Sequence, residues 1–201
     1  MKKNTSNEKN AKEDVKTFII NVAQKTFSHF GFKKTTVDDI AQAARKGKSS
    51  IYYYFNSKEE IFEAVVEKEA TTLITEILNE INTTDDPKEK IKKYILARMN
   101  GIKNLGNFYN ALKNDYLSSF ESIERLRIKY DNEEHNIIKN ILQEGIEKDF
   151  FKIENTDKTS KAIVTAMKGL EIPLIISDNK NEIEDRLDGL LDILFYGICK
   201  Y

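Results

Sequence analysis

The sequence predicts an all-α fold, on the evidence of its composition, its few helix breakers and the helical spacing of its apolar residues. The chain of 201 residues contains only two prolines and eight glycines, whereas Lys, Glu, Ile and Leu are abundant. Hydrophobic residues make up 40% of the chain, which is enough for a core, and 32% of the residues are charged, which suits a solvated helical surface. This length allows one medium-sized domain, or a small domain joined to a larger one.

The N-terminal region predicts a short arm followed by a helix. Residues 1–10 are polar and basic without an apolar anchor, so we expect a disordered arm. The first helix is predicted from Glu13 to Phe30, with Gly31 at its C-terminal cap. Its expected core residues are Val15, Phe18, Ile19, Val22, Ala23, Phe27 and Phe30.

Residues 35–62 predict two short helices separated by a tight turn, followed directly by a third helix. Thr36 can cap the first of these helices, with Asp39 as its partner three residues later. The turn contains Gly47, the one residue there with free access to positive φ. Two helices joined across a short glycine-bearing turn are typical of the helix-turn-helix motif, which places a helix in the major groove of DNA.

The second of these helices is predicted from Lys48 to Phe55, and a helical wheel divides its residues between two faces. Ile51 and Phe55 are four residues apart and should pack on the core. The opposite face, expected to meet base edges, carries Ser49, Ser50 and Tyr53. The flanks, expected to meet phosphates, carry Lys48, Tyr52 and Tyr54. Ordinary amphipathic packing is the alternative, but three consecutive tyrosines beside two serines favour DNA contact.

The helix that follows begins at Ser57, where Glu60 occupies the capping-box position. It can extend as far as Ile81 or beyond, and a helix of that length would join the N-terminal domain to the rest of the chain. Asp86-Pro87 then matches a capping residue followed by proline at the first helical position. Further helices are predicted at about 87–102, 105–119, 122–149, 157–177 and 181–200.

Residues 14–66 resemble the DNA-binding domain of the TetR family of bacterial transcriptional regulators, and beyond them the likeness is only architectural. The matching residues are Gly31-Phe32, Thr35-Thr36-Val37, Ile40-Ala41, Ala44, Ser50-Ile51-Tyr52-Tyr53-Tyr54-Phe55 and Ser57-Lys58-Glu59-Glu60-Ile61. The resemblance implies that the DNA-contacting positions are Thr36, Lys48, Ser49, Ser50, Tyr52, Tyr53, Tyr54 and Lys58. Lys58 would reach a phosphate from the first turn of its helix.

This chain departs from the family pattern at two places within the motif. Arg45-Lys46-Gly47 stands where the family usually has Gly-Val-Ser, so Lys replaces the apolar residue that wedges the turn. Tyr54 stands where the family commonly has His. These departures bear on the turn geometry and on the base preference.

The charge distribution also separates the two parts of the chain. Residues 1–60 hold 12 Lys and Arg against 7 Asp and Glu, whereas the remainder holds 20 against 26, so a total net charge of −1 conceals a basic N-terminal part. Basic residues gather where DNA would lie, and the acidic remainder would repel nonspecific polyanions. Random scatter in a lysine-rich chain is the alternative explanation.

The last two predicted helices carry apolar stripes that suit either a dimer interface or the core of a single subunit. The resemblance favours a four-helix bundle with a second copy, which would present two recognition helices to a near-palindromic operator. The residues expected at this interface are Ile163, Leu170, Leu174, Leu187, Leu190, Leu191, Leu194 and Ile198.

The middle helices contain an aromatic and aliphatic set that suits either plain core or a ligand pocket. Regulators that resemble this chain commonly bind a small hydrophobic inducer in that region. The expected lining is Tyr94, Met99, Phe108, Tyr109, Leu112, Tyr116, Phe120, Ile137, Ile141 and Met167.

Motifs for catalysis, metal binding and membrane insertion are not found in the sequence. His135 follows Glu133 and Glu134, but consecutive residues do not share a helix face, so a solvated acidic face is favoured over a metal site. The longest apolar runs are too short to span a bilayer, and the single Cys199 fits a reducing cytoplasm. No enzyme activity, cofactor or metal is predicted.

The sequence therefore predicts three regions: the arm at 1–10, a helix-turn-helix DNA-binding domain at 11–71, and a helical ligand-binding and dimerisation domain at 72–201. The predicted function is a cytoplasmic, dimeric regulator that binds double-stranded operator DNA, most simply a repressor released by its ligand. A helical binding or scaffold protein that keeps the fold without operator recognition is the alternative, and an enzyme is the third.

Overall fold

The structure, a computed structural model, describes residues 4–102, 105–107, 121–176 and 180–197. Helices account for most of these residues, and no strand occurs among them, so the predicted fold class is confirmed. The described helices are α1 (Asn4–Phe30), α2 (Val37–Ala43), α3 (Lys48–Tyr52), α4 (Lys58–Ile81), α5 (Pro87–Ile102), α6 (Glu121–Glu147), α7 (Thr156–Ile176) and α8 (Lys180–Tyr196). Most of the helix expected at 105–119 lies outside the described residues.

The chain forms two compact units. The first comprises residues 1–70 and 106–126, and the second comprises residues 71–105 and 127–201. Both α4 and α6 therefore begin in the first unit and end in the second. Residues 106–126, which the sequence assigned to the C-terminal domain, belong to the same unit as the helix-turn-helix.

The first unit is held by an aromatic and aliphatic core around Phe62. The Phe62 ring meets the edge of Phe27 with centroids 5.2 Å apart, and it lies 4.8 Å from the Phe32 ring. Ile19, Ala23 and other apolar residues of α1 surround this centre. Because such aromatic pairs combine large buried area with favourable edge contacts, they fix α1 against α4.

Two expectations for α1 are corrected. The helix begins at Asn4, so most of the arm expected to be disordered is helical; once the packed turns have formed, adding a further turn to a helix is inexpensive. Phe18 and Phe30 were expected in the core but are 46% and 56% exposed. A helical wheel does not predict their exposure, because the apolar residues of α1 extend around more of the helix than the face that α2 and α4 cover.

The C-terminal ends of α1 and α8 both coincide with a glycine at positive φ. Gly31 has a φ of 79°, and its amide donates to the Phe27 carbonyl at 2.8 Å, as the expected C-terminal cap requires. Gly197 has a φ of 69°, which ends α8 at Tyr196 rather than near residue 200.

The second unit packs α5 and α6 around buried residues that include Tyr94, Ile95 and Ile138. Its core also holds an ion pair, in which the Arg98 Nε donates to the Glu134 Oε1 at 2.6 Å. Both side chains are almost completely buried, so each neutralises a charge that burial would otherwise penalise heavily.

Within the described residues, no helix combines the length and apolarity needed to cross a membrane.

Candidate nucleic-acid interface

The first helix of the motif, α2, starts with a complete capping box. Thr36 Oγ1 accepts from the Asp39 amide at 3.2 Å, and the Asp39 carboxylate accepts from the Thr36 amide at 2.8 Å. The Thr36 hydroxyl and amide together hold the pKa of the Asp39 carboxyl below its usual range. The predicted Thr36–Asp39 cap is therefore confirmed, and both side chains stay at the surface.

The turn between α2 and α3 is built differently from the expectation. The Arg45 amide donates to the Gln42 carbonyl at 3.0 Å and the Lys46 amide to the Ala41 carbonyl at 2.9 Å, which are the two bonds of a Schellman motif. The residue at positive φ is Arg45, at 53°, whereas Gly47 has an ordinary φ of −69°. The prediction for Gly47 was wrong because the Schellman motif places its left-handed residue directly after the helix cap.

The helix α3 ends at Tyr52, three residues before its predicted end, but the amides of Tyr53 and Phe55 still bond four residues back, so the segment keeps the two faces expected from the wheel. Ile51 and Phe55 are almost completely buried in the core of the first unit. On the opposite side, Tyr53 is 65% exposed, and Ser49 and Ser50 are also exposed. Because the apolar face is anchored in the core, the hydroxyl-bearing face is held toward solvent in a defined orientation.

The flanking tyrosines differ in exposure. Tyr52 is exposed, whereas Tyr54 is half-buried and packs against the core of the first unit. The ring of Tyr54 also meets that of Tyr53 edge to face, with centroids 4.9 Å apart. Tyr54 thus packs between the core and the exposed tyrosine beside it.

Two lysines are oriented by neighbours at this surface. The Lys48 ammonium lies 2.7 Å from the Asp38 carboxylate, which raises the pKa of Lys48. Lys12 of α1 lies over the Tyr53 ring, 4.4 Å from its centroid, and hydrogen bonding to Tyr53 raises the pKa of Lys12. Sequence reasoning missed Lys12 and Asp38, since only the folded chain brings α1 and α2 beside α3.

The ammonium of Lys58 has a different environment from the one expected. It donates to the backbone carbonyls of Phe32 and Thr35, each at 2.9 Å, and lies 4.2 Å from the centroid of the Phe32 ring. Lys58 does open α4, as expected, but its side chain is half-buried and turned toward the loop between α1 and α2. This differs from the expectation that it projects toward a phosphate, because its ammonium is bonded to two backbone carbonyls of that loop.

The N-terminal cap of α4 has only one of the two hydrogen bonds of a capping box, and the second bond is made with a different residue. Ser57 Oγ accepts from the Glu60 amide at 3.1 Å, as predicted. The Glu60 carboxylate, however, accepts from the backbone amide of Asn56 at 2.6 Å and from the Asn56 side chain at 2.9 Å. This arrangement ties the end of the α3 segment to the start of α4.

The residues predicted to line a ligand pocket divide into two groups. Tyr94, Met99, Ile141 and Met167 are buried in the second unit, and Ile137 is half-buried. The remaining five, which are Phe108, Tyr109, Leu112, Tyr116 and Phe120, lie outside the described residues. A groove of about 400 Å³ lies instead between the C-terminal half of α4 and α5, and none of the predicted residues lines it. Its lining is Glu76, Glu80, Lys93, Leu96, Ala97, Asn100 and Gly101.

The residues predicted at a dimer interface also divide. Ile163, Leu187 and Leu191 are buried within the single chain, which corrects their placement because a side chain already covered has no surface to offer. Leu190 and Leu194 are half-buried and remain accessible. The side chains of Leu170 and Leu174 and the whole of Ile198 lie outside what the structure describes.

His135 lies in a polar cluster between α6 and α7. Its Nε2 is 3.0 Å from the Asp157 carboxylate, and its Nδ1 is 2.8 Å from the Ser160 hydroxyl. Ser160 is completely buried and also bonds the Thr156 carbonyl, so its hydroxyl cannot reach a substrate. Lys161 and His135 lower the pKa of Asp157 to about 2. Within the described chain, no three potential ligands come together as a metal site.

Comparison with known proteins agrees with the geometry of the first unit. Residues 19–65 match the family described as bacterial regulatory proteins, tetR family. Over 74 residues the chain is 38% identical to the uncharacterized HTH-type transcriptional regulator YhgD of Bacillus subtilis, a match that covers 37% of each chain. It is 44% identical over 52 residues to the biofilm operon icaADBC negative transcriptional regulator IcaR of Staphylococcus aureus, covering 26% of this chain and 28% of IcaR. These alignments span well under half of either relative.

The similarity in fold extends over nearly the whole chain. The transcriptional regulator FadR from Bacillus subtilis, solved in complex with stearoyl-CoA, superposes with a TM-score of 0.73 over 91% of this chain and 99% of FadR, at 21% identity. At that identity the likeness shows a shared fold. The match at residues 19–65 shows that the N-terminal helix-turn-helix is similar to the domain of the tetR family of bacterial regulatory proteins.

Proposed function

We propose that the protein is a sequence-specific transcriptional regulator that binds double-stranded operator DNA in the cytoplasm. The observation that carries this proposal is the exposed hydroxyl-bearing face of α3, anchored from behind by buried Ile51 and Phe55 in a domain of the TetR family. A helix held in this way can enter the major groove, where base edges present a distinct pattern of donors and acceptors.

We expect some residues of α3 and its neighbours to contact bases and others to contact phosphates. Ser49, Ser50 and Tyr53 carry the hydroxyls that would meet base edges, and hydroxyls can both donate and accept there. Phosphate contacts would come from the surrounding residues Thr36, Lys48, Tyr52 and Tyr54. Lys58 contributes by holding the loop between α1 and α2 at the edge of the same surface.

We also propose that the protein acts as a homodimer through exposed residues of α7 and α8. Ala162, Ala166 and Gly169 are exposed at helical spacing on α7, and Ile193 and Tyr196 are exposed on α8. Small residues allow the backbones of two helices to approach closely, while Ile193 and Tyr196 would supply apolar area. A two-fold axis there would present two copies of α3 to the two halves of an operator.

A small hydrophobic ligand in the second unit would regulate binding, and repression relieved by that ligand is the mode we propose. Support comes from the apolar interior around Tyr94, Met99, Ile141 and Met167, and from the stearoyl-CoA complex of FadR, which shares the fold. IcaR, which matches the N-terminal domain, is a negative regulator. The ligand would act only through a higher affinity for the state that binds DNA poorly.

The alternative of a scaffold without operator recognition rested on the unusual Arg45-Lys46-Gly47 turn. That turn forms the hydrogen bonds of an ordinary Schellman motif, so the departure in sequence leaves α2 and α3 properly joined. No observation therefore favours the alternative over DNA binding.

Selection of bound fragments from the source genome tests the proposed function. We expect the enriched fragments to share an inverted repeat whose half-sites lie about one helical turn apart, as a symmetric dimer requires. A Tyr53→Ala variant should fail to enrich that repeat. A Phe150→Ala variant, which removes an exposed aromatic ring from the second unit, should enrich it normally. Fragments without any common sequence would reject operator recognition.

A further inference from the structure

A cluster of buried polar side chains joins three segments of the first unit. Glu69 of α4 is 2% exposed and Asn107 is 1% exposed, although both carry polar groups that ordinarily seek water. The Glu69 Oε1 accepts from the Asn107 Nδ2 at 2.7 Å and from the Gln24 Nε2 at 3.0 Å. One carboxylate oxygen thus receives amide donors from α1 and from the segment that begins at Gly106.

The Asn107 side chain contacts two successive turns of α1 as well as α4. Its Nδ2 lies 2.9 Å from the Ser28 Oγ and 3.1 Å from the Gln24 carbonyl, in addition to its bond with Glu69. At the outer side of the cluster, the Lys68 Nζ donates to the Gln24 Oε1 at 2.7 Å. The amide of Gln24 is therefore held at both ends, which fixes its direction toward Glu69.

Hydrogen bonds of this cluster are better suited to fixing the relative position of α1 and α4 than to raising the stability of the fold. Burying a carboxylate is costly even when it is well bonded, and apolar side chains of similar volume usually stabilise a fold as much or more. Hydrogen bonds, however, form only at one relative position of the donor and the acceptor, and they are lost when the helices that carry these groups shift. The position of Asn107 in the chain is informative as well, because the chain passes from the second unit to the first between Leu105 and Gly106.

We propose that Asn107 is a positioning residue for operator binding: with Glu69 and Gln24 it forms a latch that fixes α1 against α4. This inference rests on the proposed function and adds a site through which DNA binding is regulated. Opening the latch frees α1, whose residues pack behind α3, and so loosens the orientation of the recognition surface.

The consequence for binding follows from preorganisation. Ordering a mobile recognition surface on the operator costs entropy that a fixed surface does not lose. Base contacts depend on this fixed geometry, whereas contacts of lysines with the phosphates of random DNA tolerate small shifts. A latch defect should therefore weaken operator binding much more than binding to random DNA.

The decisive variant is Asn107→Asp, which replaces the donor of the latch by a second carboxylate beside Glu69. Among the contacts of the described residues, the charged groups of this cluster are Glu69 and, beyond Gln24, Lys68, whereas Gln24 and Ser28 of α1 are uncharged. The change removes the amide that donates to Glu69 and puts an acceptor in its place, so we expect operator affinity about tenfold below that of the unmodified protein.

The matched control is Asn132→Asp, the same change at an exposed position of α6. It should leave operator affinity unchanged, and each variant is compared with the unmodified protein at the same pH. Binding to random DNA should change less than twofold in both variants. Equal loss on operator and random DNA would overturn the proposal.

A second variant and a second measurement cover two other outcomes. If Asn107→Asp does not fold, Glu69→Gln keeps the shape of the latch and removes its charge, and it should lower operator affinity about two- to fivefold; unchanged affinity would reject the latch. If the unmodified protein selects no operator, the proposed function fails, and hydrogen exchange then tests the latch separately. Asn107→Asp should speed exchange of α1 amides around Gln24, and unchanged exchange there would rule the latch out.

Discussion

At the scale of single residues, Tyr53 offers the clearest separation of binding from folding. Its side chain is 65% exposed, while its neighbours Ile51 and Phe55 carry the packing of α3. We expect Tyr53→Ala to weaken operator binding by about 1–3 kcal/mol, the usual value of a good base contact. The free energy of unfolding should change by less than about 0.5 kcal/mol, as for other surface substitutions. Operator titration and urea unfolding of the same sample measure both quantities.

The control for Tyr53→Ala is Ile51→Ala, in which we expect the main effect on the free energy of unfolding. Removing a completely buried isoleucine should cost about 2–5 kcal/mol of stability. A large loss of stability in Tyr53→Ala would mean that the tyrosine belongs to the core.

Lys48 and Lys58, which the sequence treated alike, should behave differently. Lys48→Ala should reduce the slope of log affinity against log salt by about 1 for each lost phosphate contact, hence by about 2 in a dimer. Lys58→Ala should instead lower the free energy of unfolding by about 1–3 kcal/mol, because two backbone carbonyls lose a charged donor. Salt titrations and unfolding curves of both variants distinguish these results, and identical profiles would contradict the assignment.

At the scale of elements, the α2–α3 turn retains a strained residue whose replacement should stabilise the protein. Arg45 has a φ of 53°, a region that costs a residue with a side chain about 1–2 kcal/mol. Arg45→Gly removes this strain but adds flexibility to the unfolded chain, so we expect a net gain of about 0.5–1 kcal/mol in the free energy of unfolding.

The matched control for Arg45→Gly lies two residues earlier. Ala43 is exposed and helical, and there the same new residue should cost about 1 kcal/mol. Thermal or urea unfolding should thus show opposite signs for the two glycine variants. A loss of stability in both would mean that the Arg45 side chain supplies contacts worth more than the backbone strain.

Element boundaries were predicted best where a local signal sets them. Asp86 caps α5, with its carboxylate accepting from the Lys88 amide at 2.8 Å, and the helix spans Pro87–Ile102, the range the sequence predicted. The start of α1 was missed because residues 4–10 carry no cap and no apolar pattern. Their helical state follows from the packed turns after them, which no local signal reports.

At the scale of the whole molecule, the dimer proposal depends on apolar residues that are exposed in the single chain. Ile193 is 54% exposed on α8, so Ile193→Glu should hardly disturb the subunit itself. Across a two-fold axis the change acts twice and places unpaired carboxylates in the interface, at a cost of several kcal/mol. We expect the variant to sediment as a monomer and to lose operator binding, since one subunit reads only half a site.

Ile128→Glu provides the matched control, because Ile128 is 51% exposed on α6 and lies outside the proposed interface. This variant should stay dimeric. Leu191→Glu should differ from both by unfolding the second unit, since Leu191 is buried within the chain. If Ile193→Glu remains a dimer, the partner surface lies elsewhere.

Local patterns in the sequence were enough to predict the all-helical fold, the helix-turn-helix and the two faces of the recognition segment. These depend on local periodicity, caps and turn residues, which act within a few positions of each other in the chain. Thr36–Asp39 and Ile51–Phe55 are such short-range signals, and the structure confirms both.

The contacts of long side chains and the burial of particular apolar residues could be read only from the folded chain. Lys58 turns to the carbonyls of Phe32 and Thr35 instead of outward, and Asn107 reaches Glu69 across 38 positions of the sequence. Leu187 and Leu191 are buried in their own chain although their stripe suited a partner equally well. The reason is physical: periodicity gives the face of a helix, but the identity of the surface that meets this face depends on contacts between segments distant in the chain.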